Sequence, residues 1–285
     1  MPNQFIGVLG SGTMGGGIAQ VAAQARFTVI LYDVSADMLT KAVAQIDAQM
    51  KRAVEKGRVT KKDAQGVMKR ISTTANLADL APCSCVIEAA PEVLDLKQSL
   101  FQQLDRIVSA DCILATNTST LSITQIGAGS AHPVRVVGMH FFNPPPLLPL
   151  VEVIGGNATS EATIAATLDL ARQMGKAPVR VRDVPGFIVN RVARPFYLEG
   201  MRILADGTAD HATIDKLVRG GGNFKMGPFE LMDLIGLDIN YAASHSVYNA
   251  FFQEPRFRPS LLQKRMVESG RLGRKSGKGW YDYNE

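Results

Sequence analysis

The chain has 285 residues, 46% hydrophobic and 20% charged, which suits one large or two ordinary globular domains and excludes a mainly disordered state. Its 31 Lys plus Arg against 26 Asp plus Glu leave a net charge of +5, without the dense basic stripe and interleaved aromatics of a nucleic-acid binder. Charges interrupt every stretch long enough to span a bilayer, and Met1 to Leu9 carries no basic leader, so a cytoplasmic protein with no membrane partner is expected.

The first elements carry the most information. Phe5 to Leu9 is an apolar run of strand length, followed by Gly10-Ser11-Gly12-Thr13-Met14-Gly15 and a helical spacing over Ile18 to Gln24. Phe27 to Tyr32 is a second strand, ending at Asp33. Two helices follow, Ser35 to Lys56 and Lys61 to Arg70, and basic residues cluster over Lys51 to Lys62 and again over Arg271 to Lys278. Further strands are read at Cys85 to Glu88, Cys112 to Ala115, Val134 to Met139, Leu150 to Ile154 and Val179 to Val181, with a helix over Glu92 to Val108. Strands alternating with helices mean a mostly parallel sheet covered on both faces.

The pattern changes at Asp183-Val184-Pro185-Gly186, beyond which only helical spacings remain: Phe187 to Ala205, Thr213 to Val218, Phe229 to Ile235, Leu237 to Phe252 and Ser260 to Glu268. The expected fold is α/β: a Rossmann-type, mostly parallel sheet domain over residues 1–185, then a smaller all-helical domain over 186–285. Cys83, Cys85 and Cys112 are too few and too close for a disulfide framework and lack a zinc spacing, so reduced thiols and no metal are expected.

Gly10, Gly12 and Gly15 have distinct tasks in such a turn: bending the chain, letting backbone approach a pyrophosphate, and letting helix pack on strand. The helix start then offers free N–H groups and a positive dipole end to phosphates. Asp33, 18 residues past Gly15, suits the ribose hydroxyls and repels a 2′-phosphate, so NAD is favoured over NADP; capping of the next helix is its bland alternative.

His140 follows the Val134 to Met139 run, at the end of a strand where ligands bind in open α/β sheets. Glu152 is flanked by apolar residues and needs a partner if buried. A His–Glu pair would supply that partner and stabilise an imidazolium, making the histidine a competent base. Asn117-Thr118-Ser119-Thr120 also follows a strand, and its hydroxyls are either substrate donors or helix caps. Asn190, in Pro185-Gly186-Phe187-Ile188-Val189-Asn190-Arg191, is either a cleft residue or a structural hydrogen-bonding group.

These motifs resemble the short-chain L-3-hydroxyacyl-CoA dehydrogenases. Val86-Ile87-Glu88-Ala89-Ala90-Pro91-Glu92, His140-Phe141-Phe142-Asn143-Pro144, Leu150-Val151-Glu152-Val153, Gly227-Pro228-Phe229-Glu230-Leu231-Met232-Asp233 and Gly273 to Tyr281 extend the resemblance in order along nearly the whole chain. It implies NAD-dependent interconversion of an L-3-hydroxyacyl-CoA and a 3-ketoacyl-CoA. In it His140 is the base or acid, Glu152 its orienting partner, and Ser119 and Asn190 hold the substrate C3 oxygen. By the same match the cofactor contacts are Gly10, Gly12, Thr13, Met14, Gly15, Asp33, Glu92, Lys97, Asn143 and Lys275. Lys56 falls at a contact to the CoA nucleotide, and a homodimer through the helical domain is implied.

Three departures stand out. Leu148-Pro149 replaces a common Met-Lys pair and is similar to dehydrogenases of free hydroxy acids, the first alternative function. Gln49 stands where some members place a CoA-contacting serine. Arg191 to Tyr197 resembles the phenylacetate-pathway branch, whose substrate is 3-hydroxyadipyl-CoA, with Arg194 a candidate for its second carboxylate. A non-catalytic dinucleotide-binding protein is the other alternative.

Overall fold

Central strands that are apolar on both sides need cover on both faces, and together with the more polar edge strands they build one eight-stranded sheet among the described residues of this computed structural model, which describes residues 4–283. In chain order the first elements are β1 (Phe5–Leu9), α1 (Thr13–Gln24), β2 (Thr28–Tyr32), α2 (Ala36–Glu55), α3 (Lys61–Lys69) and β3 (Ile71–Thr74). Next come β4 (Cys85–Glu88), α4 (Leu94–Asp105), β5 (Ile113–Thr116), α5 (Ile123–Gly127), β6 (Val136–Phe141), β7 (Leu150–Gly155), α6 (Glu161–Gln173) and β8 (Ala177–Arg182). The spatial order is β3-β2-β1-β4-β5-β6-β7-β8. The first six strands are parallel in the 3-2-1-4-5-6 order of a doubly wound dinucleotide fold, reversing direction of winding between β1 and β4. β7 runs antiparallel to β6, and β8 is parallel to β7.

The chain divides into two compact units, Met1–Val184 and Pro185–Glu285. In the first, Ile6, Val8, Ile18, Val29, Leu31, Ile46, Met139 and Val153 belong to one buried cluster that joins α1 and α2 to the sheet. Ser35, Thr60 and Ser160 accept backbone N–H bonds at the starts of α2, α3 and α6, which fixes where each helix begins. The second unit comprises α7 (Val189–Ala205), α8 (His211–Gly222), α9 (Pro228–Ile235), α10 (Leu237–Ala250) and α11 (Leu261–Glu268), with a core of Tyr197, Leu198, Met201, Ile214, Phe229, Met232 and Leu237. Asp233 anchors the chain after α11 by accepting from the backbone N–H groups of Trp280 and Tyr281 and from the Tyr283 hydroxyl.

Several boundaries differ from those read in the sequence. The strand expected over Val134 to Met139 is β6, shifted toward Phe141, because Pro133 lacks an N–H and opens a short 3₁₀ turn over Pro133–Arg135. His140 therefore lies inside the strand, not after it. The helix expected from Glu92 starts at Leu94, leaving Glu92 in the preceding loop. β3 and α6 had no counterpart in the sequence reading: Ile-Ser-Thr-Thr is short and polar, and α6 mixes threonines and alanines. Cys83, Cys85 and Cys112 are buried free thiols. Among the described residues no helix is long and apolar enough to cross a membrane.

Candidate active site and cofactor cradle

The turn from β1 into α1 is shaped by glycine at each of the three spaced positions, for three different reasons. Gly10 has φ +97°, and a Cβ there would sit 2.7 Å from the Ala89 carbonyl oxygen. A Cβ on Gly15 would lie 1.7 Å from the Gly10 carbonyl oxygen, so the helix can follow the turn this closely only with glycine. Gly12 is the opposite case: among the described residues no atom beyond its chain neighbours lies within 4 Å of its Cβ position, leaving open space beside the backbone. Gly12 also gives α1 no side-chain cap, so its first N–H groups remain to receive an anion, with exposed Thr13 and half-buried Met14 opening the helix. These features fit the pyrophosphate of NAD.

Asp33 continues the cradle. Its Oδ2 accepts from the backbone N–H and the hydroxyl of Ser11, both at 2.8 Å, and its Oδ1 accepts from the Ser35 N–H at 3.0 Å. Ser35, not Asp33, caps α2. Partial burial pushes the Asp33 carboxyl up, but the Ser11 and Ser35 hydrogen bonds outweigh it and leave the pKa below the ordinary value. The group therefore protonates only as pH falls below the usual carboxylate range. NADH affinity should be independent of pH above that range and weaken below it. Asp33→Ala should raise the KM for NADH roughly 10- to 100-fold, the scale of a lost charged hydrogen bond of about 1.5–3 kcal/mol, and narrow the gap to NADPH. Steady-state kinetics with both cofactors measures this.

A second polar group sits at the carboxyl ends of β4 and β5. Lys97, 1% exposed, donates to Glu88 Oε1 at 2.6 Å and to the Ala90 carbonyl oxygen, and its Nζ lies 3.4 Å from Glu92 Oε2. Glu88 is itself buried and accepts from the Thr116 hydroxyl at 2.6 Å. Glu92 Oε1 gathers the Thr118 hydroxyl, the Ser119 N–H and the Thr120 N–H at 2.6–3.1 Å, and the Ser119 hydroxyl at 3.3 Å. Desolvation raises the Glu92 pKa, but Lys97 and these donors prevail and hold it below the ordinary value. Lys97 thus faces the two glutamates, and Glu92 shapes the loop carrying Ser119.

His140 and Glu152 stand directly opposite each other in the antiparallel register of β6 and β7. Directly opposed residues point to the same face of a sheet, so 12 residues of sequence close to a single contact. His140 Nδ1 lies 2.8 Å from Glu152 Oε2, with the residues 5% and 1% exposed. A carboxylate only accepts, so the proton of this contact belongs to Nδ1, leaving Nε2 to take or give the other. The Phe142 ring lies 4.5 Å from the imidazole, and Asn117 Oδ1 accepts from the Phe141 N–H at 2.8 Å, tying the end of β5 to β6.

Asn143 is exposed in the connection from β6 to β7. A Cβ on Gly17 would meet Pro145 at 2.8 Å, so this connection lies directly on α1. Lys176 secures it by donating to the carbonyl oxygens of Pro145 and Leu148 at 2.5 and 3.0 Å. Lys56 is exposed as the C-cap residue of α2. Asn190 and Lys275 belong to the helical unit, where Lys275 Nζ pairs with Asp238 at 2.6 Å. Arg194 differs from expectation: it is 2% exposed and its guanidinium bonds to Asn190, Asn240 and Ser244, so it is not presented to a substrate carboxylate.

The sequence reading missed Glu88, Asn117, Lys176 and the role of Ser11. Glu88 ends an apolar run, and the buried-acid argument applied to Glu152 would have found it equally well.

Residues 5–184 match the family model described as 3-hydroxyacyl-CoA dehydrogenase, NAD binding domain, and residues 186–283 match that of the C-terminal domain. The chain belongs to the 3-hydroxyacyl-CoA dehydrogenase family. It is an enzyme with NAD as its cofactor. A relative named 3-hydroxyadipyl-CoA dehydrogenase from Escherichia coli is 48% identical over 98% of this chain, which spans 59% of that protein's length. The 3-hydroxybutyryl-CoA dehydrogenase of Clostridioides difficile is 40% identical, covering 98% of this chain and 99% of its own. Among solved structures, (S)-3-hydroxybutyryl-CoA dehydrogenase from Ralstonia eutropha superimposes with a TM-score of 0.95 at 40% identity, over 99% of this chain and 100% of its own.

Proposed function

We propose that this 3-hydroxyacyl-CoA dehydrogenase interconverts a short L-3-hydroxyacyl-CoA and its 3-ketoacyl-CoA, with 3-hydroxybutyryl-CoA or 3-hydroxyadipyl-CoA as substrate. The observation that carries the reading is the 2.8 Å contact of His140 Nδ1 with Glu152 Oε2 at opposed positions of β6 and β7. Oxidation of an alcohol needs a base for the hydroxyl proton, and His140 Nε2 takes it while Glu152 offsets the positive charge that forms on the ring. In reduction the same nitrogen returns the proton. When bound, NAD supplies the hydride acceptor or donor. Asn190, and Ser119 with its hydroxyl turned from Glu92, donate hydrogen bonds to the substrate C3 oxygen, while Glu92, held by Lys97, keeps the Ser119 and Thr120 N–H groups and so fixes the loop.

For the cofactor, α1 and the Gly10 to Gly15 turn receive the pyrophosphate and Asp33 the ribose hydroxyls. Glu92, Asn143 and Lys275 complete the set proposed for it, with Lys97 as support. Lys56 is proposed for the CoA nucleotide, where a lysine serves as a point charge. A homodimer is proposed through the helical unit, supported by the exposed apolar side chains Leu217, Phe224, Ile239 and Leu261.

The test is NADH oxidation with acetoacetyl-CoA, 3-oxoadipyl-CoA and free acetoacetate, with NADPH as control. Turnover of a CoA ester with NADH is expected, and the ratio between the two esters selects the acyl group. Exposed Leu148-Pro149 favours a second reading, a dehydrogenase of free 3-hydroxy acids, which turnover of acetoacetate alone would establish.

A further inference from the structure

Arg194 is a buried cation whose hydrogen-bond partners among the described residues are all neutral. Its Nη1 donates to the Asn240 carbonyl oxygen at 2.8 Å and the Ser244 hydroxyl at 3.1 Å, both on α10. Its Nε donates to the Asn190 carbonyl oxygen at 3.3 Å, and its Nη2 lies 3.4 Å from Asn190 Oδ1. The guanidinium also sits 5.0 Å from the centre of the Tyr197 ring. Burial lowers its pKa to about 10, opposed by Tyr197, so it is still charged at neutral pH.

Asn190 and Arg194 are one helical turn apart on α7, where i and i+4 side chains meet. Pro195 lies inside the same helix, and its missing N–H removes the backbone bond that would close onto Arg191. The first turn of α7 is therefore held less by its own ladder and more by the Arg194 side chain, which splints it to α10. A guanidinium has five donors and no acceptor. Beside it, only the oxygen edge of the Asn190 amide can face inward, which turns the Nδ2 edge the other way.

Resting on the reading of Asn190 as a donor to the substrate oxygen, we propose that Arg194 is a positioning residue: it fixes the rotation of the Asn190 amide so that Nδ2 is presented to the C3 oxygen. The effect falls on kcat, because the hydrogen bond strengthens as the oxygen gains charge during the reaction. The acyl-CoA itself does not touch Arg194, so its KM changes little.

The test compares Asn190→Ala, Arg194→Lys, Arg194→Gln and Arg194→Met, then the double variant Asn190→Ala/Arg194→Met, by kcat, KM and thermal melting. Arg194→Lys keeps a donor-only group and should retain most of kcat. Arg194→Gln has similar polarity but can offer either edge to Asn190, so kcat should fall about tenfold, equivalent to roughly 1.4 kcal/mol in the barrier. Arg194→Met should fall at least as far, and the double variant should be no slower than Asn190→Ala alone. Equal kcat for the Lys and Gln variants would overturn the proposal, as would additive losses in the double variant. If Arg194→Met fails to fold, the Lys–Gln comparison decides alone. Full activity of Asn190→Ala would overturn the assignment of Asn190 itself, an outcome distinct from a failure of Arg194 to act through it.

Discussion

His140→Gln should lower kcat about a thousandfold while leaving NADH binding unchanged, since general acid–base groups contribute roughly 10²–10⁴-fold. Glutamine can occupy the space and hold a hydrogen bond to Glu152, but it cannot carry a proton between solvent and substrate at neutral pH. Glu152→Gln tests the tautomer argument separately. An amide can turn its NH₂ toward Nδ1, which moves the imidazole proton to Nε2 and removes the base. Its kcat should fall between roughly ten- and a thousandfold, with acyl-CoA KM within about twofold. Loss of NADH binding in either variant would mean that the pair supports the fold instead of the chemistry, and fluorescence titration of NADH separates the two.

The glycine turn makes the second large effect, and two of its positions should fail differently. Gly15→Ala would force a methyl to 1.7 Å from the Gly10 carbonyl oxygen, so α1 must move away from the turn. A shift of that kind costs about 1–3 kcal/mol of stability and should weaken NADH binding roughly a hundredfold. Gly12→Ala meets no protein atom within 4 Å, and its φ of −63° suits alanine, so the melting temperature should be unchanged. Its methyl would nevertheless stand where the phosphates approach, and NADH affinity should drop at least about tenfold, the loss expected when backbone N–H bonds to an anion are kept apart. A Gly12→Ala variant that binds NADH normally would place the pyrophosphate elsewhere.

Periodicity made the strands β1, β4 and β7 and the two-part organisation legible, because continuous apolar runs and the later helical spacings leave few alternatives. It located Asp33, His140 and Glu152, but not the register that makes the last two direct opposites. That fact depends on β7 turning antiparallel beside β6, a choice made by packing of the whole sheet. Polar short strands such as β3 owe their shape to neighbours and leave no signal in hydropathy. Arg194 reads in the sequence as a candidate for a substrate carboxylate, since a charge in an apolar helix invites an anionic partner, and only the fold shows that its donors are taken by Asn190, Asn240 and Ser244.

The pairing of His140 with Glu152 across two adjacent strands separates two design problems. The positions of His140 and Glu152, the pair proposed for acid–base work, are indexed by sheet register, which cannot drift by one position without turning every neighbouring side chain to the wrong face. The connection between them, Phe142 to Pro149, makes no contribution to that index. That connection answers to other constraints, the packing of Pro145 on α1 and the Lys176 bonds to the Pro145 and Leu148 carbonyls, and these do not set the opposition of His140 and Glu152. A chain built this way can vary the loop beside the pair while the sheet keeps the spacing of the pair itself.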